Sequence, residues 1–162
     1  MDAPAALSVI EVGGDRSRME QAWALRRRVF IEEQHVPEEI ELDADDARAV
    51  HALALEGASP ASPASPASPA HPERPVGCGR MLAHGDYVKI GRMAVLAERR
   101  GIGVGRRVLE FLIEHARQRG FRRAVLDAQV HAEGFYLKQG FIPVGEVFEE
   151  AGIMHRRMER AL

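Results

Sequence analysis

Arg99-Arg100-Gly101-Ile102-Gly103-Val104-Gly105-Arg106 is the stretch on which the reading of the chain turns. It follows a strand-like run, Tyr87 to Leu96, and opens a helical one. There Val104, Val108, Leu109, Leu112, Ile113 and Ala116 recur at helical spacing to about Arg119, with Gly120 as the stop. Glycines at the alternate positions Gly101, Gly103 and Gly105 let several backbone N–H groups approach one point at the positive end of a helix. Such a turn suits a phosphate or pyrophosphate. Two nucleotide motifs fit it poorly. A P-loop needs Gly-Lys-Ser/Thr, and the only lysines are Lys89 and Lys138; a Gly-x-Gly-x-x-Gly fingerprint fails in both frames, at Arg106 and Val108.

Outward from this turn, strands are expected at Leu7–Val12, Ala49–Leu55, Val76–Leu82, Tyr87–Leu96, Arg123–Asp127, Val144–Phe148 and His155–Met158. Helices are expected at Ser17–Gln34, where Met19, Ala22, Trp23, Leu25, Val29 and Phe30 mark the apolar face, and at His131–Lys138. Trp23 reads as a core residue. The order is β-α-β-β-β-α-β-α-β-β, a mixed sheet flanked by helices. Within it Ser59–Ala70 repeats Ser-Pro-Ala four times. Proline at every third residue fixes φ and removes donors, so a low-complexity loop insert at 58–73 is expected between two strands.

The chain's 162 residues suit one domain, 1–162, and 46% apolar with 28% charged residues exclude wholesale disorder. Twenty-two basic against 24 acidic side chains disfavour a nucleic-acid partner bound through bulk charge. The lone cysteine, Cys78, cannot form an internal disulfide or a thiol-rich metal site, and points to a reducing cytoplasm. Met1-Asp2-Ala3-Pro4 lacks the basic and apolar regions of a signal peptide. No apolar run approaches the roughly 18 residues of a membrane span. No metal site is expected either, because the histidines lack ligand spacing. Charge is segregated: 38–46 carries six acids and no base, and 92–107 carries five arginines against Glu98 alone. These are either two solvated surfaces or two half-sites, one for a cation and one for an anion.

Arg100-x-x-Gly103-x-Gly105, preceded by Gly91-Arg92-Met93-Ala94-Val95-Leu96, resembles the acetyl-CoA pyrophosphate loop of the GCN5-related N-acetyltransferase (GNAT) superfamily. Asp127 to Phe141, with its Phe-Tyr-x-x-x-Gly-Phe ending, is similar to that superfamily's fifth strand and following helix. Leu25-Arg26-Arg27-Arg28-Val29-Phe30-Ile31-Glu32-Glu33-Gln34 and Phe148-Glu149-Glu150-Ala151-Gly152-Ile153-Met154-His155 extend the resemblance to the ElaA-like branch. It implies a GNAT-type mixed α/β fold, with a central twisted sheet of about seven strands and about four flanking helices. It implies acetyl-CoA as co-substrate, an amine acceptor, no metal, and a homodimer as one assembly.

By position, the backbone of Met93, Ala94 and Val95 would run along the pantetheine arm, an amide near Val95 polarising the thioester carbonyl. The amides of Gly101, Ile102, Gly103, Val104, Gly105 and Arg106 would hold the pyrophosphate, with Arg99 and Arg100 nearby. Gln129 falls where many relatives place a cofactor-contacting asparagine. Tyr136 falls on the tyrosine that protonates the departing thiolate. A phenol of pKa about 10 is protonated at neutral pH and can donate; the plain structural alternative is a core tyrosine beside Phe135 and Phe141. For the base that frees the amine, Glu33 comes first, with His131 and His155 behind it. Glu33 could equally be an exposed helix-end carboxylate, and His131 only a cap. His51 reads as structural and Cys78 as a buried, inert thiol. The acidic segment 38–46 favours a cationic acceptor: a polyamine, an amino sugar, an aminoglycoside or a lysine side chain. The rivals are a CoA-binding sensor without turnover, an acyltransferase for longer acyl donors (Arg28-Val29-Phe30…Glu33 also resembles acyl-homoserine-lactone synthases) and, more distantly, a nucleotide-dependent kinase.

Overall fold

A computed structural model describes residues 6–57 and 73–162; the insert expected at 58–73 falls, but for Glu73, outside the described residues. The strands are β1 (Leu7–Glu11), β2 (Val50–Glu56), β3 (Arg74–His84), β4 (Tyr87–Val95), β5 (Arg123–Gln129), β6 (Ile142–Pro143), β7 (Phe148–Glu150) and β8 (Ile153–Ala161). The helices are α1 (Arg16–Arg26), α2 (Glu38–Glu41), α3 (Val104–Gln118) and α4 (Glu133–Lys138). One sheet runs β1-β2-β3-β4-β5-β8-β6, with β7 added on β8. Every pairing is antiparallel except β4 with β5.

Helices cover both faces of the sheet centre, which is why all seven residues of β2 are buried. The α3 face is built from small residues, Ala52 and Ala54 on β2 opposite Gly79 and Gly77 on β3. A Cβ on Gly77 would sit 2.7 Å from Val104 Cγ1, and one on Gly79 only 3.0 Å from Val108 Cγ1. These glycines let α3 settle its apolar row (Val104, Val108, Leu109, Leu112, Ile113, Ala116) directly on the strands. On the opposite face α1 packs over β3, its first turn capped by the Asp15 carboxylate accepting from the Arg18 N–H at 3.1 Å.

Three local expectations change. The long first helix is α1 only to Arg26, and the chain continues as a π-helix over Arg27–Glu33. Its wider turns bring Val29, Phe30 and Gln34 to the cleft described below. The strand expected at Val144–Phe148 is instead mostly a connection between two short strands: Gly145, at φ 83°, turns the chain, so β6 ends at Pro143 and β7 begins at Phe148. Trp23 is half-buried rather than core; its indole N–H donates to Asp46 at 3.2 Å. The position inside α1 is taken instead by Arg26, 1% exposed.

Candidate active site

The cleft exists because β4 and β5 part. They pair only over Val88–Ile90 against Ala124–Leu126. Beyond Ile90, β4 bulges. Its register against β3 steps from Arg80↔Gly91 to Cys78↔Ala94, so Arg92 and Met93 together face Gly79. Arg92 takes the left-handed φ of 52° that the bulge requires. The divergence opens a cleft of about 820 Å³ between β4, β5, the π-helix, the start of α3, α4 and the β7–β8 hairpin.

The expected phosphate end is made of backbone. Gly101 (φ 81°) and Gly103 (φ 94°) turn the chain into α3, which has no side-chain cap and no acid in its first turn. Its leading amides thus have no capping side chain, at the positive end of the helix. Gly101, Gly103, Val104, Gly105 and Arg106 line the cleft, as do Arg99 and Arg100, while the Ile102 side chain is 68% exposed and outside the wall. The N–H of Leu96 donates to Val76 on β3 at 3.0 Å. By strand alternation the amide and carbonyl of Val95 then face the other way, toward the cleft, where the carbonyl accepts from Arg100 Nε at 3.0 Å. Met93, Ala94 and Val95 all line this stretch.

Tyr136 sits in the wall of the same cleft, 8% exposed, edge-on to Phe135 and Phe141 with ring centroids at 5.0 and 5.9 Å. Its hydroxyl has no hydrogen-bond partner among the described residues, and burial pushes the phenol above its ordinary range, keeping it protonated. Gln129, at the end of β5, is bound to Gln34 by a reciprocal amide pair: Gln34 Nε2 donates at 3.1 Å and Gln129 Nε2 returns at 2.8 Å. This clasp joins the π-helix side of the cleft to β5. Sequence reading passed over Gln34, because its partner is 95 residues away.

The base candidates separate. Glu33 is exposed, lies outside the cleft lining and is bound to Arg100 at 2.8 Å. His131 lines the cleft from the exposed turn before α4. His155 lines it from β8, with Nδ1 2.7 Å from its own strand's Ile153 carbonyl. Cys78 is enclosed and burial pushes its thiol up to about 12, so it is no nucleophile. His51 is buried and bonds the Asp46 carbonyl at 2.9 Å.

The acidic segment is not the open half-site its sequence suggested. It folds over three arginines. Arg26 donates to Glu41 Oε1 at 2.6 Å and to Asp46 at 2.7 Å. Arg80 bonds Asp43 at 2.7 Å and Asp46 at 2.8 Å, and Arg92 meets Glu41 at 3.0 Å and Asp43 at 3.1 Å. Bonds from Arg80 hold Asp43 at about 2. Burial raises Asp46, but Arg26, Arg80 and Trp23 outweigh it and hold its carboxyl below the usual range. At Glu41, 3% exposed, burial prevails and pushes the carboxyl up. Glu38 pairs with Arg27 and Asp45 with Arg48. The segment therefore presents no row of free carboxylates to an acceptor, and charge alone gives no ground for assigning it that role. Among the arginines, Arg92 belongs to this network, Arg99 pairs with Glu56 at 2.8 Å, and Arg107 bonds the Leu7 carbonyl at 3.2 Å. Arg26 could have been found in the sequence: it shares the helical stripe of Ala22, Leu25 and Val29.

A sheet opened between two parallel strands, above a helix whose leading amides are uncapped, is the frame of an N-acyltransferase. The chain belongs to the GNAT family: the model of the acetyltransferase (GNAT) domain matches residues 68–162. The chain is 31% identical over 148 residues to YjcF of Bacillus subtilis, described as an uncharacterized N-acetyltransferase, covering 91% of this chain and 95% of that one. It is 32% identical over 140 residues to ElaA of Escherichia coli, covering 84% of this chain and 82% of that one. The crystal structure of ElaA superposes with a TM-score of 0.75 at 29% identity, covering 96% and 99% of the two chains. The protein is thus an acyltransferase of the ElaA-like branch. Among the described residues its sheet has eight strands, in keeping with the expected count of about seven. Among the described residues no helix is long and apolar enough to cross a membrane.

Proposed function

We propose that this protein moves an acetyl group from acetyl-CoA to a primary amine by direct attack in a ternary complex. The observation that carries the reading is the convergence, in one cleft, of the Val95 amide, the uncapped start of α3 and the protonated Tyr136. The residues fit the donor. The amides from Gly101 to Arg106 suit a pyrophosphate, with Arg99 and Arg100 beside them. The edge of β4 at Met93–Val95 suits the pantetheine arm, and an oxyanion donor such as the Val95 N–H contributes roughly 3–4 kcal/mol to acyl transfer. Tyr136 is assigned as the acid that protonates the departing sulfur. Gln129 is assigned to the donor side of the clasp with Gln34.

The acceptor is assigned as a small cationic amine or a lysine side chain. With the acidic segment closed on its arginines, the support comes from Glu150, which lines the cleft and has no ion-pair partner among the described residues. The test is thiol release from acetyl-CoA with spermidine, glucosamine, an aminoglycoside and Nα-acetyllysine. One of these should release CoA, and Tyr136→Phe should lower the rate about 100-fold while acetyl-CoA still raises the melting temperature. Stabilisation by acetyl-CoA without release by any amine would leave a binding module. A preference for longer donors in an acyl-CoA series would replace acetyl by another acyl group.

A further inference from the structure

We propose that His155, rather than Glu33 or His131, is the general base that takes the proton from the acceptor's ammonium group. The inference rests on the acetyl-transfer reading and names the residue that reading leaves open. Glu33 lies outside the cleft lining and its carboxylate is held by the Arg100 guanidinium at 2.8 Å. His131 lines the cleft on an exposed turn, with no ring hydrogen bond among the described residues to fix its tautomer. His155 is placed and oriented. It is the register partner of Gln129, at the end of β5 where the strands have parted. Its Nδ1, 2.7 Å from the Ile153 carbonyl, must carry a proton to make that bond, so whenever the ring holds a single proton the lone pair is on Nε2. The Phe148 ring stacks on it at 5.9 Å and 22°. The geometry thus commits one ring nitrogen and leaves the other without a hydrogen-bond partner among the described residues, in the wall of the cleft.

The charged groups around the ring are mostly matched. On β5 and β8, two positions along the register, Asp127 is bonded to Arg157 at 2.9 Å and to Lys89 of β4 at 3.2 Å. Arg156 meets Glu133 of α4 at 3.2 Å. Of the two acids on β7, Glu150 shares the face of Phe148 and lines the cleft, a carboxylate placed to attract an ammonium to the same wall, whereas Glu149 is outside the lining. Nε2 takes one proton from the ammonium and returns it to solvent. The freed nitrogen lone pair forms the C–N bond, and the carbonyl electrons move to oxygen under the Val95 amide. As the adduct collapses, the C–S bond breaks with its pair on sulfur. Tyr136 protonates the sulfur, and the second proton lost by nitrogen returns, by way of solvent, to the tyrosinate, so that one proton is released for each acetyl group transferred.

His155→Asn separates the two nitrogens of the ring: the asparagine amide can keep the donor to the Ile153 carbonyl but has no base in place of Nε2. With whichever of the four amines turns over, kcat/KM of H155N at neutral pH should fall roughly 100-fold or more. The gap should close as the pH rises toward the amine's own pKa, about 10 for a lysine side chain, with acetyl-CoA binding by calorimetry unchanged. The acid limb of the wild-type profile should be lost in H155N and kept in E33Q. Retention of rate and limb in H155N overturns the assignment, as does a rate loss with no change in profile shape, which would make His155 structural. Loss of the limb in E33Q but not in H155N returns the role to Glu33. Failure of the wild type to release CoA with any of the amines removes the acetyl-transfer reading itself, and the base with it.

Discussion

At one end of the cleft the groups offered to a ligand are backbone amides, of Val95 and of the Gly101–Arg106 turn, shaped by glycines close together in sequence. At the other end the wall is side chains, pinned by bonds between segments far apart: Arg26 to Glu41, Arg92 to Asp43, Gln34 to Gln129. The two constructions fail in different ways. A backbone site tolerates changes of side chain but not an added Cβ. A side-chain wall built on buried charge tolerates neither the loss of a partner nor its neutralisation.

The largest expected effect lies on the side-chain wall. Arg26, 1% exposed, bonds the Glu41 carboxylate and carbonyl, both at 2.6 Å, and Asp46 at 2.7 Å. Arg26→Ala leaves Glu41 buried with Arg92 as its remaining close partner, and should cost about 3–5 kcal/mol, the usual penalty for stranding a buried charge. The midpoint of urea unfolding reads it. A loss below about 1 kcal/mol, the range of exposed pairs, would mean that the network adds little and that the contrast between the ends is false.

The next effect belongs to the backbone end. Gly77→Ala sets a methyl 2.7 Å from Val104 Cγ1 and 3.3 Å from the Ala94 carbonyl oxygen. Val104 opens α3, so relief of the clash moves the amides expected to hold the pyrophosphate. The substitution should destabilise by about 1–3 kcal/mol, as overpacking does, and weaken acetyl-CoA binding in calorimetry. Destabilisation with an unchanged dissociation constant would show that the α3 N-terminus is not where the donor is held.

How far each end could be read from the sequence follows from the same contrast. The glycine turn and the apolar stripe of α3 are local patterns, and each lies where its spacing placed it; Tyr136 was singled out by resemblance alone. The β4 bulge is not local: it is set by Gly79 on the neighbouring strand and by the bonds of Arg92 to α2. The acidic segment was visible as charge, but what it closes on comes from β3, β4 and α1. The π-helix escaped notice because an apolar run at helical spacing does not reveal an extra residue per turn. Gln34 escaped because a glutamine after a run of charged residues has no pattern of its own.

The smallest effect, and the one that tests whether the ends are independent, is acid-dependent. Two bonds from Arg80, and Arg92 beside them, hold Asp43 at about 2, below the roughly 3.9 of an unfolded carboxyl. A depressed native value means that the contribution to stability is complete above about pH 4 and is lost as the pH falls toward 2. The carboxylate is 31% exposed, so solvent screening reduces the contribution to about 1 kcal/mol. Asp43→Asn should therefore be less stable than the wild type by about that amount at pH 6, with the difference vanishing near pH 2. Arg80 keeps Asp46 at 2.8 Å in the variant, which is why the loss stays small. A difference that persists at the acid end would come from packing rather than charge. The same variant also measures transmission, because Asp43 bonds Arg92 at the bulge that aims Val95 into the cleft. Unchanged acetyl-CoA affinity in Asp43→Asn would confine the charge network to the side-chain wall, whereas weakened affinity would show that the bulge carries its state to the backbone site, so that the two ends respond as one.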